Sequence, residues 1–89
     1  MTPSKYKAHE ILNWVESACH DMADSNEALD AEELFESEDT VYDLLIQKVH
    51  DESKSSVDLA IGIFKQMLVI SDHEVIKKCC VKALNRMER

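Results

Sequence analysis

Four histidines, three cysteines and 18 acidic residues are the side chains of this 89-residue chain that could do chemistry. Their spacing assembles little of a reaction centre. His9, His20, His50 and His73 are scattered, and none falls in an HExxH or CxxC arrangement of the kind that holds a transition metal. Cys19-His20 and Cys79-Cys80 would meet only if the first and last helices pack together. Cys19 and Cys79 also fall at apolar positions, where a buried thiol behaves as a small hydrophobe. Lys77, Lys78 and Lys82 flank Cys79 and Cys80 in sequence, the electropositive setting that a thiolate needs. No Cys/His pairing accompanies them, and one glycine in the chain leaves little scope for an oxyanion or phosphate loop. The expectation is a protein that is not an enzyme and has no catalytic residue, no cofactor and no metal site.

Two further patterns have partial matches. Asp21 and Glu32 bound a twelve-residue window with Asn26 in its middle, but Ala23 and Ser25 stand where a calcium loop places ligands. Ala23-Asp24-Ser25 is similar to an acyl carrier protein, a small acidic helical family with Asp-Ser at the start of its second helix. That resemblance implies phosphopantetheine on Ser25. Asn26 replaces the apolar residue of the family after the serine, and the long glycine-containing loop before it is missing. Ser25 also suits a simple helix N-cap.

The strongest signal is charge. Between Ala8 and Gln47 there are twelve acidic residues and no Lys or Arg. Lys77, Lys78, Lys82, Arg86 and Arg89 crowd the other end, and the net charge is −8. Such a dipole attracts basic partners and repels nucleic acid and anionic membrane. Like charges four apart, such as Glu32 and Glu36, cost a helix a few tenths of a kcal/mol. Interspersed lysines would supply solubility without that cost, so the stretch reads as a docking surface. The alternative is a solvated face that keeps a small protein soluble. The residues expected to bind a partner are Glu27, Asp30, Glu32, Glu33, Glu36, Glu38, Asp39 and Asp43. The basic end is expected to complement the acidic segment within the fold or within a dimer.

The elements that must position these residues read as helices. With one Gly and one Pro, residues 1–89 suggest a single all-α domain of four to five short antiparallel helices. The first spans about Pro3–Ala23, with Thr2 as N-cap and an apolar stripe of Ala8, Ile11, Leu12, Val15, Ala18, Cys19 and Met22. Trp14 sits at the edge of that stripe. A short second helix lies within Glu27–Glu36, turns Leu29, Leu34 and Phe35 inward, and starts on an Asp30/Glu33 capping box. The third, about Glu38–Glu52, buries Val41, Leu44, Leu45 and Val49, and Asp51–Ser56 is a loop. The fourth, about Ser56–Ile70, is apolar nearly all round and belongs at the centre; its β-branched residues make a buried strand the second choice. The fifth, Asp72–Glu88, opens on Ser71-Asp72-His73-Glu74 and buries Ile76, Cys79, Cys80, Ala83, Leu84 and Met87. Its Arg86 and Arg89 suit the negative end of the helix dipole. Helices four and five together resemble one HEAT-type helical hairpin, a unit too generic to define a solenoid.

No apolar run approaches the roughly 18 residues of a membrane span. Met1–Lys5 has no apolar signal region behind it, and three unpaired cysteines suit a reducing compartment, so a cytoplasmic protein is expected. The leading functional reading is a small acidic protein that inhibits or masks a basic macromolecule, such as a nucleic-acid-handling enzyme or complex. Toxin immunity proteins and phage anti-CRISPR inhibitors work in this manner. They set carboxylates where phosphates would lie. The competing reading is an assembly module or homodimer that joins through an apolar face on helices four and five, or through Trp14 with Tyr42. Direct nucleic-acid and membrane binding are not expected.

Overall fold

The computed structural model describes residues 3–88. Five helices follow in order: α1 Pro3–Ser25, α2 Ala31–Glu36, α3 Glu38–Ser53, α4 Val57–Ile70 and α5 Glu74–Met87. There is no strand among the described residues, so the all-α reading holds and the strand alternative for α4 does not. Thr2 and Arg89 lie outside the described residues.

The core follows the apolar periodicity. Ala8, Ile11 and Val15 of α1 meet Val41, Leu45 and Val49 of α3, Ala60, Ile63, Phe64 and Met67 of α4, and Ile76, Cys79, Cys80, Ala83 and Leu84 of α5. α4 packs against α1, α3 and α5. α3 is the second hub and touches all four other helices. α2 contributes no fully buried residue and rests on α1 and α3. The molecule measures 39 × 23 × 23 Å. At about 34 Å, α1 is the longest of the described helices and extends two residues beyond the expected Pro3–Ala23.

Capping residues explain most boundaries. Ser37 alone joins α2 to α3. Its N–H donates to the Leu34 carbonyl and closes α2, while its hydroxyl accepts from Thr40 N at 3.4 Å and opens α3. Ser56 opens α4 by accepting from Leu59 N at 3.3 Å. Asp30 opens α2 by accepting from Glu32 N at 2.9 Å, so the cap bond goes to Glu32 and not to Glu33.

Three boundaries differ from the sequence reading. Asp24 and Ser25 extend α1, because Ser25 Oγ donates back to the Asp21 carbonyl at 3.0 Å. Ser25 therefore ends a helix and does not cap or begin one. Asp51, Glu52 and Ser53 belong to α3, and the loop shrinks to Lys54–Ser56. The Ser53 side chain is buried with its hydroxyl on the His50 carbonyl, which lets the polar residue stay in the last turn. α5 begins at Glu74, because Ser71 Oγ accepts from His73 N two residues on and holds Asp72 and His73 out of the helix. Among side chains, Leu29 is 38% exposed and Met22 is also exposed, against the inward positions expected of both. Leu44 and Met87 are only partly buried.

Lys54 ends α3 in the left-handed region at φ 52°, and Ser55 follows at φ 68°. Left-handed backbone costs an L-residue with a Cβ about 1–2 kcal/mol. Lys54→Gly should therefore raise stability by about 1 kcal/mol, and urea melts will check this. At the opposite extreme, Phe64 is fully buried in α4. Phe64→Ala should cost about 3–5 kcal/mol, a large share of the stability of so small a domain. Ile63→Asp should leave no cooperative thermal transition, because it buries an unpaired charge. A wild-type melting temperature in either variant would contradict the central position of α4.

Candidate functional site

The acidic segment occupies the end of α1, the link 26–30, α2 and the first half of α3. All eight acids expected to bind a partner are exposed. Asp30 spends one carboxylate oxygen on its cap. Glu32 and Glu33 lie in the first turn of α2, and Glu38 and Asp39 in the first turn of α3. There the positive end of each helix dipole offsets part of their mutual repulsion. Ser37 joins the end of α2 to the acidic start of α3 across a one-residue corner.

Glu36 is the exception to this solvation. Its Oε1 lies 2.9 Å from His73 Nε2, and the Phe35 ring stacks on the same imidazole with centroids 4.3 Å apart. His73 therefore ties the end of α2 to the start of α5, and its side chain is only 24% exposed. The sequence places His73 on the solvent side of a first helical turn. In fact it precedes α5, where the fold supplies partners 37 and 38 positions back in the chain.

Among residues 6–88 no Lys or Arg pairs with any of the eight acids. The basic end therefore makes no direct ion pair with the acidic segment, although Lys82, Glu38 and Asp39 all lie close enough to Cys79 to act on its thiol. Lys77 reaches Glu74 in its own helix at 3.8 Å. Lys82 Nζ lies 4.5 Å from the Tyr42 ring centroid, and Arg86 covers the same ring at 5.7 Å and donates to its hydroxyl at 3.3 Å. The cations thus hold α5 to α3 through the aromatic face of Tyr42. On the other side of the bundle Lys48 sits 5.2 Å from the Trp14 ring centroid. Lys48 and Lys7 also share Glu52, at 3.5 and 3.1 Å. The hydrogen bond from Lys7 holds the Glu52 carboxyl below the usual carboxylate range. Trp14 and Tyr42 are each covered by cations, so they do not form a common apolar patch. None of these contacts is marked by periodicity, and only the Lys/Arg and aromatic residue types hinted at them.

The remaining candidates lack the geometry for chemistry. Among the described residues no three His, Cys, Asp or Glu side chains come together to hold a metal ion. Residues 21–25 of the calcium-like window are helical, so no twelve-residue loop exists. Glu16, Cys19, His20 and Glu32 line a cleft of about 210 Å³ between α1 and α2, with Ala31 and Phe35 as its apolar part. The expected start of a second helix at Ser25, which the carrier resemblance requires, is absent: α2 begins at Ala31. No helix of the described residues is long and apolar enough to cross a membrane.

The three thiols are buried and unpaired. Burial, aided by Glu38, pushes Cys79 up to about 11, and burial, aided by Cys79, pushes Cys80 up to about 12. Lys82 opposes the shift at Cys79 but does not outweigh it. Cys79 Sγ instead donates to the Glu38 carbonyl at 3.5 Å. A thiol that resists ionisation when folded stabilises the fold below the ordinary thiol range and loses that contribution as pH rises through its raised pKa. Stability should therefore fall from about pH 9 upward by this linkage. A Cys79→Ala/Cys80→Ala variant should show a shallower alkaline decline in denaturant melts across pH 8–11, the range that brackets an ordinary thiol pKa of about 8.5. Labelling of native protein by a thiol reagent at neutral pH should be slow and should become fast on unfolding.

Comparison with known proteins finds no matching family model, no similar curated protein and no similar solved structure.

Proposed function

We propose that this protein is a small acidic binding protein that masks a basic macromolecule, with the acids of α2 and α3 as its docking surface. The observation that carries this reading is the unneutralised state of the segment. Eight exposed carboxylates gather over residues 27–43, and no described Lys or Arg pairs with them although five cations close the chain. A fold that needed these acids only for its own stability would gain from turning α5 cations toward them. Here Lys82 and Arg86 are committed to Tyr42 instead. Apart from Asp30, which caps α2, and Glu36, which meets His73, these carboxylates are free to occupy phosphate-binding positions on a nucleic-acid-handling protein, in the manner of immunity proteins and anti-CRISPR inhibitors.

Electrostatic docking of this kind acts mainly on the association rate. Glu33, Asp39 and Asp43 suit the test because none of them caps a helix with its side chain or joins an ion pair. Immobilised wild-type protein should retain a basic protein from its native cells at low salt and release it as salt rises. Against that captured partner, Glu33→Lys/Asp39→Lys/Asp43→Lys should associate about 10- to 100-fold more slowly at low salt. Its salt dependence should also be flatter, because the screened attraction has been removed. Circular dichroism should show the fold intact. Equal association rates for variant and wild type would reduce the acidic segment to a solubility device.

A further inference from the structure

A second surface on the opposite sign of charge remains outside that reading. The solvent face of α5 and the neighbouring edge of α4 form an open groove of about 550 Å³. Leu68 and Val81 give it an apolar floor, and Lys77, Lys78 and Lys82 give it a cationic rim. Val81 is 45% exposed there. Lys78 has no carboxylate partner among the described residues. An apolar floor ringed by ammonium groups fits a segment that carries one apolar side chain between carboxylates.

This chain displays such a segment. Glu27-Ala28-Leu29-Asp30 lies in the longest link between helices, and every residue of it is exposed. Asn26 fixes its shape: the Leu29 N–H donates to the Asn26 carbonyl at 3.0 Å, and the Ala28 N–H to Asn26 Oδ1 at 3.0 Å. Leu29 thus stands outside the core on a preorganised tip, with Glu27 and Asp30 beside it. A tip already ordered loses little entropy on docking.

We propose that the Glu27–Asp30 tip of one copy docks in the α4–α5 groove of a second copy, with Leu29 on Leu68 and Val81 and the carboxylates against the lysine rim. Two grooves cannot face each other, because lysine would oppose lysine. The contact is therefore tip to groove, and each copy carries both halves of it. The small area makes it weak and concentration-dependent. It shares Glu27 and Asp30 with the proposed docking surface but not Glu33, Asp39 and Asp43, so the two readings are tested by different variants.

Sedimentation of the pure protein tests the proposal. At about 0.15 M salt the Debye length near 8 Å screens whole-molecule repulsion and leaves contact pairs effective. Wild-type average mass should rise above the 10.2 kDa monomer as concentration increases. Glu27→Lys/Leu29→Lys disables the tip, and Lys78→Glu/Val81→Glu disables the groove. All four positions are exposed, and Asp30 and Lys82 keep their structural contacts. Each variant alone should lose self-association by about tenfold or more, as when a central anchor is removed. Mixed, they should regenerate one contact and stop at a 1:1 dimer. A wild-type protein that stays monomeric would overturn the proposal, whatever peptide, nucleic acid or other protein the groove then proves to bind. So would self-association that survives both variants, or a mixture of folded variants that forms no heterodimer.

Discussion

The structure depends on hiding one helix. α4 carries Ala60, Ile63, Phe64 and Met67 on a fully buried face, and Leu59, Ile61, Leu68 and Ile70 beside it pack on the same core. A segment that apolar cannot lie on a surface at acceptable cost, so α1, α3 and α5 must each supply a face to cover it. They can do so with modest side chains: alanines, valines and cysteines make up much of what they contribute. The small volumes of Ala8, Ala83, Cys79 and Cys80 let the helices approach Phe64, which is the largest fully buried side chain. Even so, α4 keeps one wet edge, where Val69 is 78% exposed beside the polar positions Asp58 and Lys65.

Because the core uses up the apolar faces, charge and hydrogen bonding organise what lies outside it. The cations form one set of fasteners: Lys82 and Arg86 on Tyr42, Lys48 on Trp14, and Lys7 with Lys48 on Glu52. Each joins α3 to another helix, or braces it, without drawing on the acids of residues 27–43. The short α2 could not hold its place by burial, since none of its residues is fully buried. Its position comes from the Ser37 corner at one end, the Asp30 cap at the other, and the stack of Phe35 on His73. The carboxylates are left at the surface as a consequence. The same economy that spares them for a partner leaves Leu29 and the α4–α5 groove uncovered.

Much of this was legible in the chain before any coordinates. Scarce glycine and proline implied helices with short links, and a 3.6-residue apolar period picked out the buried stripes of α1, α3 and α5. Val41, Leu45 and Val49 lie where that period puts them because every neighbour in the stripe faces the same packed core. The serine caps at 37 and 56 have a local cause: a side-chain oxygen satisfies an amide three residues ahead, whatever the rest of the fold does. Exposure of the acids followed from the cost of burying charge.

Other features were settled by competing local bonds or by contacts between distant segments. Whether Ser25 begins or ends a helix turned on its bond back to Asp21, and Ser71 held α5 off by two residues in the same local contest between caps. His73 became a fastener only when folding brought Phe35 and Glu36 to it. Leu29 matched an inward position by residue type, yet α2 is too short and too peripheral to carry it into the core. The sequence by itself determined the fold class, the central helix and the sign of each surface, because these follow from periodicity and charge along a single segment. Only the tertiary structure decided which cations were spent on aromatic rings, which carboxylates stayed unpaired and where an apolar groove met a basic rim, because these depend on which helices become neighbours.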